Sequence, residues 1–147
     1  MIAAPGSDFD TALGAVMGDL ARDVEALHAR LGEERSALDQ ANMPALEIAG
    51  RAKLKLLERI EKLEVERRQL SDASGIDSLR DARWTPTVDL LLECRRLNEV
   101  NGRIVAQRMG HVRQALALLA GDAPGGSTYG PNGSTKVRLR SGMLAQV

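Results

Sequence analysis

The sequence predicts an all-α protein, an antiparallel bundle of three long helices followed by a flexible C-terminal tail. Three observations carry that prediction. Apolar residues recur at helical rather than strand spacing over long stretches. Two prolines, Pro44 and Pro86, stand where that periodicity is interrupted. The 147 residues include only three aromatics, Phe9, Trp84 and Tyr129. The core is therefore built of Leu, Val, Ile and Ala, which suits helices packed along aliphatic seams better than a sheet.

The first helix is expected over residues 8–41. Ser7 or Asp8 can cap it, because a short side-chain oxygen accepts a bond from the free N–H groups of a first turn. Leu13, Leu20 and Leu27 recur every seven residues, and Met17, Val24, Leu31 and Leu38 repeat the period offset by four. This is an a/d heptad seam. Such a helix is roughly 50 Å long at about 1.5 Å per residue.

Asn42-Met43-Pro44 ends the pattern and starts a second helix, expected over 44–70, since proline is tolerated in a first turn. Its seam is Leu46, Ala49, Leu56, Leu57, Ile60, Leu63 and Leu70, with Lys53 and Arg67 in the same stripe. Long basic side chains can lay their stems over a core and keep the charge in water. The short connection makes the first two helices antiparallel neighbours. Residues 71–84 read as irregular, with Gly75 in the middle and a short helical turn near Ile76 and Leu79. Thr85-Pro86 repeats the start signal for a third helix over 86–120, and Gly121 is a natural stop.

These elements form one helical domain, residues 1–120. Residues 121–147 begin GDAPGGSTYGPNGS and form the expected flexible tail.

The third helix has a wide apolar face. Leu91, Cys94, Asn98, Asn101, Val105, Met109, Val112, Leu116 and Leu119 fall within an arc of roughly 80° at 100° per residue. Leu90, Leu97, Ile104 and Ala115 flank it. Either the first two helices together cover this face, or part of it stays open as a binding strip. A buried amide needs partners and tends to fix register, so Asn98 and Asn101, three residues apart, can act together. Gly102 follows them. It calls either for close approach of another backbone or for an indifferent position facing solvent.

Charge and composition exclude several classes. Lys plus Arg equals Asp plus Glu, 20 each. Residues 1–120 carry 17 basic and 19 acidic side chains, and the tail carries Lys136, Arg138 and Arg140 against Asp122. A neutral chain without a basic stripe or stacking aromatics does not predict nucleic-acid binding. No apolar run reaches membrane-spanning length, and the N-terminus does not read as a secretion signal. Cys94 is the single cysteine, which suits a reducing compartment and the cytoplasm. It reads as a small buried apolar residue. Cys94 and His111 lie about 25 Å apart along one helix and cannot meet.

No catalytic, metal or cofactor site is expected. Glu25-x-x-His28 has the spacing of a di-iron helix motif, but a second such pair is missing, and the two residues read as a solvated face. One cysteine and two histidines do not make a zinc site. ERIEKLEVERR reads as a solvated face with i, i+4 pairs.

Several segments match one family in order. The first helix carries L-G-E-E-R-S-A-L, Leu31 to Leu38. The second carries K-L-K-L-L-E-R-I and then R-R-Q-L, with Lys53 and Arg67. The third carries L-N-E-V-N-G-R-I-V, Leu97 to Val105, and the tail carries Y-G-P-N-G, Tyr129 to Gly133. Together they resemble the FlgN family of flagellar export chaperones over nearly the whole chain. The resemblance implies a cytosolic helical protein that is not an enzyme. It implies that the chain binds the C-terminal helical segments of hook-associated proteins, which form the hook–filament junction, and keeps them from assembling early. It also implies delivery to the cytosolic domain of the flagellar export gate. On this reading Asn98, Asn101, Val105, Met109, Val112 and Leu116 form the client-binding strip, and Tyr129 is the gate-docking residue. A generic coiled-coil adaptor, or a type III chaperone for another helical client, are the rival readings. A coiled-coil adaptor would need neither the paired asparagines nor the tail tyrosine. A helical metalloenzyme would bind metal.

Overall fold

The computed structural model describes residues 5–121. Three long helices account for most of them: α1, Pro5–Asp39; α2, Met43–Ser74; and α3, Thr85–Leu119. A single 3-10 turn, Ser78–Arg80, lies between α2 and α3. There is no strand among the described residues, and the all-α prediction stands. The expected tail, including Tyr129, lies outside the described residues.

The helix ends differ from expectation for identifiable reasons. α1 already includes Pro5, so Ser7 and Asp8 sit inside the helix rather than capping it. Proline is well suited to a first turn because its missing N–H has no partner there anyway. The other end of α1 closes at Asp39. Ala41 takes a left-handed φ of 52°, and the Asn42 and Ala41 N–H groups bond back to the Ala37 and Leu38 carbonyls at 2.9 and 3.1 Å. This is the Schellman arrangement, made with alanine in place of the usual glycine. Asn42 then serves the next helix, its side-chain oxygen accepting from the Ala45 N–H at 3.1 Å. α2 runs four residues beyond Leu70, to Ser74, and stops at Gly75, whose φ of 69° only glycine adopts without strain. Ser71 and Ser74 are helical although short hydroxylated side chains often mark loops. Ser71 Oγ donates to the Ile76 carbonyl and accepts from Ser78 Oγ, tying the last turn of α2 to the segment that follows.

The chain to His111 is one compact unit. Within it, α1 is the central element. Leu13, Met17, Leu20, Val24, Leu27, Leu31 and Leu38, the whole predicted heptad seam, are buried. Burying a leucine fully contributes about 1.5–3 kcal/mol, so this seam supplies much of the driving force for folding. α2 and α3 supply mostly half-buried residues to the same core. Near the N-terminal end of α1, Leu13, Val16, Met17 and Leu20 pack with Trp84, and Ile60, Leu63, Leu70 and Val88 close around them. Further along, Val24, Leu27 and Leu31 pack with Cys94, Leu56, Leu90, Leu91 and Leu97.

Cross-helix bonds fix the directions. Asp23 pairs with Arg59 and Glu34 with Lys53, so residue numbers rise along α1 as they fall along α2, and the two are antiparallel. Cys94 meets the Val24 carbonyl and Asn101 the Leu31 carbonyl. The offset of 70 is the same at both places, so α3 runs parallel to α1.

The division between the two units falls inside α3, after His111. Of the second unit, Val112–Gly121 are described. Leu118 and Leu119 there are exposed, and Gly121 has a φ of 77° just past the helix end.

Candidate functional site

The paired asparagines of α3 enter a polar network that joins all three helices. Asn101 is 2% exposed. Its amide donates to the Leu31 carbonyl at 3.1 Å and to Glu34 Oε2 at 2.9 Å. Glu34 Oε1 accepts from Lys53 Nζ at 2.6 Å, and the same ammonium donates to Asn98 Oδ1 at 3.1 Å. A carboxylate buried this deeply would be costly alone. The ammonium and the amide together make it tolerable and fix where α2 and α3 stand on α1. The Asn101 Oδ1 atom is itself buried without a partner. Asn101 thus lies in the stretch of the strip that α1 covers rather than in its open part, and Asn98 stands exposed at the rim.

Sequence reasoning missed Glu34, although a signal was there. Leu13, Leu20 and Leu27 are followed seven residues on by Glu34, a carboxylate where the heptad asks for leucine. A charge in such a position needs a buried partner, and Lys53 in the α2 seam is that partner.

Gly102 has nothing within 4 Å of the position a Cβ would take. The reading by close backbone approach is overturned; Gly102 faces solvent. Lys53 and Arg67 also do more than lie over the core with wet charges. Arg67 is buried, grips Glu64 with two bonds of 2.7 Å, and donates to Ser78 Oγ. The Arg67 guanidinium holds the Glu64 carboxyl below its ordinary range, and Glu64 in turn raises Arg67. This cluster anchors the connection from α2 to α3. Cys94 is buried as expected, and burial pushes its thiol pKa up, away from the reactive thiolate.

The apolar strip of α3 is partly open. Cys94 is covered by α1, and Leu90, Leu91 and Leu97 are half-buried. Beyond Asn101 the cover falls away. Val105 and Met109 are each 41% exposed. The offset of 70 brings Met109 level with Asp39, the last residue of α1, so little of α1 remains to cover it. In the second unit, Val112 is 52% and Leu116 46% exposed.

A groove of about 240 Å³ lies between α2 and α3. Leu27 and Leu31 of α1 belong to it, with Lys53 and Leu57 from α2 and Leu91, Cys94, Arg95 and Asn98 from α3. Among the described residues, no three His, Cys, Asp or Glu side chains converge as a metal site requires, and no described helix is long and apolar enough to cross a membrane.

No curated protein and no solved structure matches the chain. The family model described as FlgN protein matches residues 12–136, a span that takes in all of α2 and α3 and the whole buried seam of α1. With that match over most of its length, the chain belongs to the FlgN family, a family of flagellar export chaperones.

Proposed function

We propose that this chain binds the C-terminal helical segments of hook-associated proteins in the cytoplasm, prevents their premature assembly and delivers them to the cytosolic domain of the flagellar export gate. The observation that carries this reading is the open apolar face of α3. Val105 and Met109 in the first unit, and Val112 and Leu116 in the second, present branched or flexible side chains to solvent. An amphipathic client helix would lay its apolar face on such residues. Asn98 stands beside this surface, and Asn101, on the same face of α3 where α1 covers it, holds α3 in register through Glu34 and Leu31. Keeping the client's apolar face covered is what would stop it from associating before export.

The test is calorimetry of the full chain against a synthetic C-terminal helical segment of a hook-associated protein. Val105→Asp with Val112→Asp places two carboxylates on surface that is already exposed, so the circular dichroism should remain helical while binding is lost. Undiminished binding by a folded double variant would place the client elsewhere. Failure of every such segment to bind the parent chain would end the reading.

A further inference from the structure

We infer that the groove between α2 and α3 receives aliphatic side chains of the client helix and selects clients that carry carboxylates beside them. This rests on the proposed client-binding function and extends the docking surface from α3 onto α1 and α2.

The apolar part of the argument is shape. Leu27 and Leu31 of α1, both in the buried seam, line the groove together with the exposed Leu57 and the half-buried Leu91. At about 240 Å³ the groove is smaller than a usual small-molecule pocket of roughly 300–1,000 Å³. It suits protruding side chains of a helix lying across it, spaced three or four residues apart.

The polar part is an account of unspent hydrogen-bonding capacity. Lys53 has three N–H donors and uses two, on Glu34 and Asn98. An ammonium only donates, so the Asn98 oxygen must face Lys53, and the two Asn98 amide hydrogens have no partner among the described residues. Arg95 bonds Glu99 through Nε alone, which leaves its terminal nitrogens free. Glu34 is set back in the core, and its second oxygen is taken by Asn101. The spare N–H groups at the rim belong to Lys53, Arg95 and Asn98, two of them cations, and no carboxylate lines the groove itself, Glu34 lying behind Lys53 and Glu99 holding only the Nε of Arg95. The complementary partner supplies acceptors with negative charge. Leucine-like anchors flanked by Asp or Glu meet that description, and a helix with Lys or Arg in those places is rejected because its cations would face Lys53 and Arg95.

The experiment uses the full chain and the same synthetic segment, in its natural form and with the carboxylates beside its apolar face changed to lysine. Leu57→Ser on α2 should weaken binding of the natural segment at least tenfold. Arg95→Glu should weaken it several-fold, and the lysine-bearing segment should bind Arg95→Glu better than it binds the parent. If Leu57→Ser and Arg95→Glu bind as the parent does while the Val105–Val112 double variant does not, the function stands and the groove is not the seat. If no segment binds the parent, both readings fall together. Should Leu57→Ser lose its helical dichroism, hydrogen exchange of the parent decides. New protection of residues 53–57 and 91–98 on adding the segment supports the groove, and unchanged exchange there overturns it.

Discussion

Arg67 lies over the ring of Trp84, its guanidinium carbon 4.9 Å from the ring centroid. The two come from opposite sides of the α2–α3 connection, and both are buried. The planar cation faces the ring, its edge grips Glu64, and its remaining nitrogen reaches Ser78. One side chain thereby closes the end of the core where Leu13, Met17 and Leu20 pack. Arg67→Ala should cost about 3 kcal/mol, combining the lost stack with a broken, largely desolvated ion pair. Arg67→Lys should recover less than half, because a lysine cannot stack its charge and hold both carboxylate oxygens at once. Urea titrations followed by circular dichroism measure both. A lysine variant as stable as the parent would show that charge alone matters here.

The same pair gives the acid side of the stability curve a predicted shape. Glu64 has its folded pKa below the ordinary glutamate value, chiefly through its bond to Arg67. Above the ordinary value the carboxyl is ionised in both states, and the stabilisation is fully present. Below it the unfolded chain takes up the proton first, so stability falls until the folded carboxyl is protonated too. The thermal midpoint of the parent should drop as pH is lowered from about 6 to about 3. Glu64→Gln, less stable at neutral pH, should lose less over the same interval. An identical acid slope in both proteins would remove Glu64 from the account.

The Glu34–Lys53 pair should behave as a unit. Lys53→Met leaves a carboxylate in the core with only the Asn101 amide to hold it, and should cost about 3 kcal/mol or more. Glu34→Leu with Lys53→Met restores the leucine that the heptad asks for and removes the stranded charge. That double variant should be more stable than Lys53→Met alone, since buried ion pairs are often replaced by apolar residues at little cost, the remaining loss being the Asn101 amide hydrogen that no longer has Glu34. A double-mutant cycle in urea gives the coupling directly. Additive effects would mean that Lys53 is held by Asn98 and water rather than by Glu34.

The helices were legible because their signals are local. Heptad leucines, two start prolines and Gly75 all act within a few residues, and the predicted seam of α1 is the buried seam. The misplaced ends have local causes too: Ala41 supplies a left-handed turn that alanine does not announce, and serines continue α2 past Leu70. What sequence reasoning could not supply was pairing across helices. Asn101 on α3 and Glu34 on α1 are 67 residues apart, and no spacing rule joins them. The width of the α3 stripe suggested an open face, but which residues stay open depends on where α1 ends, and that is a property of the packed bundle. Leu57 and Arg95 were invisible as groove residues for the same reason, since each reads alone as one more seam leucine or surface arginine.

Tyr129 lies outside the described residues, so its role rests on sequence and family. It is the only tyrosine, set among Gly, Pro, Ser and Asn, and the helical seams offer no periodic place for it. A tyrosine combines a large apolar ring with a hydroxyl, the chemistry of a frequent interface anchor. The proposed client surface is on the helices and does not include it. Client binding and gate binding should therefore separate. Tyr129→Ala is expected to bind the client segment with the parent's affinity and to bind the cytosolic domain of the export gate at least tenfold more weakly. Cells carrying it should accumulate chaperone–client complex and export less client. Paired calorimetry of variant and parent, once against the segment and once against the gate domain, decides the matter. Equal affinity for the gate would mean that Tyr129 is not the anchor, and loss of client binding instead would mean that the tail belongs to the client surface.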